Sequence, residues 1–230
     1  MFKKIGIIGG AGPIAGALLL KKIIQHCQRV YQSKHDRDFP EIILESVPFS
    51  QMLEPGLESE VKKELSEHLH FLDRSGALKM VIACHTLHSF LPEIQPFPSL
   101  VHLVQETKAF LKAQQMHDPV VFCTETSKRY QIYQEATYPS PEIQKTLNFL
   151  IDRGLEGLYV EKDKALFESV LQKLDIETRP CILGCTELSV LWDTFSDWKE
   201  SFCVIDPLEL ILEKLVEKTL NLSSSSTLGN

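Results

Sequence analysis

No two cysteines stand in a Cys-x-x-Cys pair, although the chain has six: Cys27, Cys84, Cys123, Cys181, Cys185 and Cys203. Without zinc-type spacing, a structural zinc site is excluded and no metal is expected. Most of the six lie in apolar runs, where a free thiol serves as a small hydrophobe. Positive charge is also short: 24 Lys and Arg against 31 Asp and Glu leave a net charge of −7. Such a chain is a poor general binder of nucleic acid or anionic membrane, although one pocket can still be locally positive. Long apolar runs are lacking as well. Ile5 to Leu20 is uncharged and follows Lys3 and Lys4, in loose imitation of a signal peptide. It carries Gly9, Gly10, Gly12 and Pro13, passes straight into the amphipathic stretch Lys21 to Val30, and is short for a membrane span. A cytoplasmic protein without a targeting segment is expected.

What is present is a regular alternation of short apolar runs and helical periodicity. Ile5 to Ile8, Ile42 to Val47, Met80 to Ala83, Val120 to Phe122, Cys181 to Leu183 and Val204 to Ile205 read as strands. Helices are predicted from Pro13 to about Val30, Glu58 to Arg74, Leu100 to Ala113, Pro141 to Arg153, Lys164 to Leu174 and Leu208 to Leu220. This order predicts an α/β fold of two similar lobes, each a parallel sheet flanked by helices, with the site in the cleft between them. The first lobe is expected over residues 1–100 plus 206–222, the second over 101–205, and a disordered polar tail over 223–230. Ligands of such sheets bind beyond the carboxyl ends of the strands. Three places therefore matter: after Ile8, after Ala83 and after Leu183.

Two of these places match each other. Val81-Ile82-Ala83-Cys84-His85-Thr86-Leu87-His88 has a counterpart in Cys181-Ile182-Leu183-Gly184-Cys185-Thr186-Glu187-Leu188. Each is an apolar strand leading to a cysteine, then hydroxyl or polar residues, then an ionisable side chain, His88 or Glu187. Cys84 and Cys185 lie about half the folded chain apart, as a duplication with one thiol per lobe would place them. Inverting a stereocentre needs a base on one face of a carbon and an acid on the other. A thiol with an ordinary pKa of about 8.5 serves either role near neutrality. A strand-to-helix turn sets each sulfur near a helix N-terminus, which favours thiolate, and His88 and Glu187 are placed to tune the pair.

These residues resemble the aspartate/glutamate racemase family, in its aspartate-racemase-like branch. Ile5-Gly6-Ile7-Ile8-Gly9-Gly10-Ala11-Gly12-Pro13 is similar to that branch's opening G-x-x-G-G-x-G-P. Ala83-Cys84-His85-Thr86-Leu87-His88 resembles its C-N-T-x-H motif, Gly184-Cys185-Thr186-Glu187-Leu188 its G-C-T-E motif, and Ile205-Asp206-Pro207 its closing I-D-P. The resemblance implies racemisation of aspartate, or of glutamate, by two-cysteine proton transfer at the α-carbon. It also implies no pyridoxal phosphate, no metal or other cofactor, and a homodimer. It implies that Gly10 and Ala11 approach a small carboxylate, that Thr124 and Ser127 form a hydroxyl-bearing clamp, and that Thr86 and Thr186 supply hydroxyls beside the thiols.

The chain departs from the family pattern at three positions. His85 stands where the family usually has Asn, no Lys or Arg occurs from Ser46 to Leu57, and a second-lobe Lys is missing near Leu155-Glu156-Gly157. As an imidazolium, His85 would stabilise the Cys84 thiolate and replace part of that charge. Other readings stay open. Gly10-Ala11-Gly12-Pro13-Ile14-Ala15 fits the glycine fingerprint of an NAD-binding oxidoreductase, although Glu45 lies further beyond Gly10 than the usual spacing of about 20. A catalytically weakened small-carboxylate binder, or a related decarboxylase, hydantoin racemase or maleate isomerase, would carry the same thiols.

Overall fold

The computed structural model describes residues 2–49, 56–157, 159–195, 197–198, 200 and 202–218. The first sheet is formed by β1 (Ile5–Gly9), β2 (Ile42–Ser46), β3 (Lys79–Ile82) and β4 (Leu100–Val101), all parallel, in the order β2-β1-β3-β4. Helices cover both of its faces. Ile5 and Ile7 pack with Leu18, Leu19 and Ile23 of α1 (Pro13–Tyr31). Ile8, Met80 and Ile82 face Val61, Leu65, Leu69 and Leu72 of α2 (Glu58–Arg74). Those α2 residues recur at helical spacing on one face and are at most 1% exposed. Each such side chain stabilises the fold by about 1.5–3 kcal/mol.

The second sheet holds β5 (Val120–Phe122), β6 (Cys181–Leu183) and β7 (Val204–Ile205), again parallel and in chain order. One of its faces packs against α3 (Leu103–Ala113) through Val104 and Leu111. The short α4 (Glu125–Arg129) follows β5. The opposite face is covered by α5 (Pro141–Leu155), α6 (Glu161–Lys173) and α7 (Thr186–Thr194). The alternation of strand and helix thus produces the two helix-flanked parallel sheets that the sequence pattern predicts.

Two helices differ from expectation. Leu100 and Val101 are not helical: they pair with Met80 and Val81, and α3 begins only after His102, whose ring accepts from the Gln105 amide. The closing helix is not continuous either. It is split into α8 (Pro207–Leu210) and α9 (Leu212–Leu215). The chain leaves helical geometry at Val216, where the Tyr31 hydroxyl donates to its carbonyl at 2.9 Å and Lys218 bridges Phe2. Residues 219–230, including the expected tail, lie outside the described residues. Among the described residues no helix is long and apolar enough to cross a membrane.

Candidate active site

The carboxyl ends of β1, β3, β5 and β6 converge on one place. Cys84 follows β3 and Cys185 follows β6, and they are 7% and 5% exposed. The Cys185 thiol donates to Glu187 Oε2 at 2.9 Å. Cys185 is the N-cap of α7 and Glu187 lies in its first turn, where the helix dipole favours a negative side chain. The Glu187 backbone is held by Tyr159, whose hydroxyl lies 2.9 Å from the Glu187 carbonyl. The turn after β1 closes the other side of this carboxylate. Gly12 has φ +83°, and a β-carbon built on it would lie 1.7 Å from Glu187 Oε1. Gly10, at φ +99°, is pressed against the Val47 backbone, and only a residue without a side chain fits there. Ala11 packs in the cluster that contains Cys84.

After Cys84 the chain forms a 3₁₀ run, Thr86–Glu93, in place of an α-helix; it contains Pro92, which has no N–H to donate. Thr86 reaches across to the loop after β5. Its Oγ1 lies 2.9 Å from Ser127 Oγ and 3.2 Å from Thr124 Oγ1, and the latter two are 3.1 Å apart. Thr124 also caps α4 by accepting from the Ser127 amide. A second crossing lies beside the thiols, where Thr186 Oγ1 donates to the Ala83 carbonyl at 3.2 Å.

Burial dominates the electrostatics. It pushes the Cys84 thiol up to about 12, and the Glu187 carboxylate adds to the rise. The Cys185 thiol is raised by burial, by Glu187 and by Cys84. Burial raises Glu187 as well, opposed by its hydrogen bond from Cys185. Both sulfurs are therefore thiols, and Cys185 donates its proton to Glu187.

The two histidines differ from the sequence reading. His88 is structural in its contacts: the Leu103 amide donates to Nε2, leaving Nδ1–H to donate to the Cys84 carbonyl at 2.8 Å. That fixes one neutral tautomer and holds the turn that carries Cys84. His85 is not an imidazolium. It is 1% exposed, and burial lowers its pKa to about 3, aided by His102. It therefore brings no positive charge to Cys84. Among the described residues no group of three or more His, Cys, Asp or Glu is placed to hold a metal ion.

Gly12, Tyr159 and Tyr133 carry contacts that sequence reasoning did not assign. Gly12 had a signal in the glycine-rich turn, but its partner Glu187 lies in the other lobe. Tyr159 and Tyr133 sit in segments with no motif.

No family model matches the sequence. The broad specificity amino-acid racemase RacX of Bacillus subtilis is 25% identical over 199 residues, covering 82% of this chain and 87% of that protein. The aspartate racemase of Picrophilus torridus superposes with a TM-score of 0.78 at 21% identity, covering 93% of this chain and 92% of that one. An aspartate racemase homologue from Pyrococcus horikoshii gives 0.69 at 25% identity, covering 93% and 97%. Two parallel sheets, a cysteine at the matching strand end of each, and these full-length likenesses lead to one conclusion: the chain is similar over nearly its whole length to the aspartate and glutamate racemases and shares their fold.

Proposed function

We propose that the protein interconverts the enantiomers of a small amino acid by proton transfer at the α-carbon, with Cys84 and Cys185 as its two acid/base groups. The observation that carries this reading is the pairing of the two thiols: each follows a strand of its own sheet, Thr186 beside one donates to the Ala83 carbonyl beside the other at 3.2 Å, and Cys185 donates to Glu187 at 2.9 Å. In one direction Glu187 accepts the Cys185 proton, and the thiolate removes the α-proton from one face. Cys84 delivers its proton to the other face, and the configuration inverts. The reverse reaction exchanges the roles.

Both thiols are raised without substrate, so the substrate itself assists. Its α-ammonium brings positive charge beside the sulfurs and lowers the thiol pKa values. The hydroxyls of Thr86, Thr124 and Ser127 satisfy one another. With substrate they turn to its α-carboxylate, near the half-buried backbone at Gly10 and Ala11. Thr186 and His88 hold the two cysteine turns in place. A dinucleotide is disfavoured at the glycine turn, because its pyrophosphate would meet the Glu187 carboxylate packed on Gly12.

The preference for aspartate implied by the Gly184-Cys185-Thr186-Glu187 motif rests on sequence alone. The relative from Bacillus subtilis has a name that speaks of broad specificity, which supports testing several side chains. The test is incubation of single D- and L-amino acids with the protein in D2O, followed by NMR of the α-proton. Loss of that signal with formation of the opposite enantiomer is expected. A complete set of natural amino acids left unexchanged overturns the reading.

A further inference from the structure

Two buried polar side chains, His85 next to Cys84 in the chain and Tyr133 beside the His85 ring, lack hydrogen-bond partners. Both ring nitrogens of His85 and the Tyr133 hydroxyl make no hydrogen bond among the described residues. Yet His85 is 1% exposed and Tyr133 2%. Their ring centroids lie 6.1 Å apart, with planes tilted by 42°. Thr107 lies near Tyr133 without completing a hydrogen bond, and gives its own hydroxyl proton to the Leu103 carbonyl. Leaving a buried polar group unpaired costs about 1–3 kcal/mol, and native proteins keep few such groups. Two of them side by side, one immediately after a catalytic candidate at a strand end, mark a place where a ligand supplies the missing bonds.

The chemistry of that ligand follows from what the wall offers. A neutral imidazole has one donor and one acceptor, and a phenol has both. A carboxamide or hydroxyl matches this set, because each can donate and accept. A carboxylate can only accept, so it cannot satisfy the acceptor sites of this wall. Lys22 is committed to Asp193, Asp206 and Glu209, and the segment from Ser46 to Leu57 contains no Lys or Arg. Lys108, exposed on α3, reaches only the face of the Tyr133 ring, 6.0 Å from its centroid.

We infer that His85 and Tyr133 form a neutral polar subsite for the substrate side chain, so that the protein acts on amino acids with a carboxamide or hydroxyl side chain in preference to aspartate and glutamate. This rests on the racemase reading and narrows its substrate class. It also reverses the acidic preference that the family resemblance implies.

The experiment compares L-asparagine, L-glutamine, L-serine, L-aspartate, L-glutamate and L-lysine. It measures kcat/KM for α-proton exchange in D2O, and binding of the same compounds by thermal shift, for wild type, Tyr133→Phe, His85→Gln and His85→Leu. The inference requires the best carboxamide or hydroxyl substrate to exceed aspartate and glutamate by about tenfold or more, as a site built to hydrogen-bond a side chain discriminates. Tyr133→Phe and His85→Leu should shrink that ratio severalfold, whereas His85→Gln, which keeps a donor and an acceptor, should retain it. Tyr133→Phe removes an unpartnered hydroxyl, so its melting temperature should not fall; a merely structural tyrosine would not move the ratio. Faster exchange of aspartate, glutamate or lysine overturns the inference, and so does an unchanged ratio in Tyr133→Phe. Binding of glutamine or asparagine that Tyr133→Phe weakens, without exchange of any amino acid, would leave the subsite standing and remove the racemase reading. Absence of both binding and exchange would remove both.

Discussion

The Thr186 hydroxyl donates to the carbonyl of Ala83 at 3.2 Å, so the residue after one thiol is tied to the residue before the other. This bond crosses between the sheets at the point where, in the proposed reaction, the two sulfurs face a common carbon. Thr186→Val keeps the shape and removes the bond. It leaves the buried Ala83 carbonyl without this partner, a loss of about 1–3 kcal/mol. Melting should show that loss. The relation of the sulfurs also loosens, so kcat should fall about tenfold with KM nearly unchanged. Steady-state exchange kinetics in D2O will separate the two parameters, and an unchanged kcat would show that the bond does not align the thiols.

Cys84→Ser and Cys185→Ser should each reduce racemisation by about 10²–10⁴-fold, the usual range for a positioned acid or base. Serine leaves almost no cavity, so the melting temperature should change little. The double variant should be no worse than either single one, because the pair acts as a unit. Additive losses would point instead to two independent roles.

The pH dependence of stability has opposite signs on its two limbs. Cys84 is raised to about 12, and the Cys185 thiol is raised as well. Their stabilising contribution is complete below the unfolded pKa of about 8.5 and is lost as pH rises from there toward the folded value. His85 is lowered to about 3. Its contribution is present above the unfolded pKa of about 6.5 and is lost as pH falls toward about 3. His85→Asn should therefore flatten the acid limb of a stability-against-pH curve by about one proton, or roughly 1.4 kcal/mol per pH unit. Cys84→Ala should flatten the alkaline limb in the same way. Chemical denaturation across pH 4–11 (roughly the span of both windows) measures both. An acid limb unchanged in His85→Asn would show that His85 is protonated in the folded protein.

Much of the site was legible because its parts are local. Cys84 and Cys185 each follow an apolar strand, and strand ends are where ligands sit in such sheets. Gly10 and Gly12 announced a turn that only glycine tolerates. The remainder depends on distant residues. Leu100 and Val101 continue the apolar spacing of α3, so only their pairing with Met80 and Val81 reveals a strand. His85 looked like a charge donor beside a thiol, but its charge is decided by burial, and burial is set by other segments, Tyr133 among them. The clamp of Thr86, Thr124 and Ser127 could be listed from sequence, yet its closure onto itself required the contact between the lobes.

Gly12 offers the sharpest test of how the first lobe shapes the second. Its φ of +83° is one that residues with a side chain rarely adopt, and its missing β-carbon leaves the space that Glu187 Oε1 fills, 1.7 Å from where that carbon would be. Gly12→Ala therefore has two effects. The backbone strain costs about 1–2 kcal/mol, which melting will register. The methyl group also displaces the Glu187 carboxylate. Glu187 is only 7% exposed and accepts the Cys185 proton at 2.9 Å, so it cannot move without losing that bond. With the acceptor displaced, the buried Cys185 thiol loses the neighbouring group that takes its proton. Racemisation at pH 7 should then fall about 10²-fold or more, by analogy with losing a positioned base. Glu187→Gln separates the two effects, since it keeps the shape and the glycine but removes the acceptor. It should lose activity at neutral pH to a similar degree and recover as pH rises, because solvent hydroxide can then take the thiol proton that Glu187 no longer accepts. Gly12→Ala should show the same alkaline recovery on a less stable fold. If Gly12→Ala melts early yet keeps full activity in the folded fraction, the contact with Glu187 is packing alone, and Cys185 finds its base elsewhere.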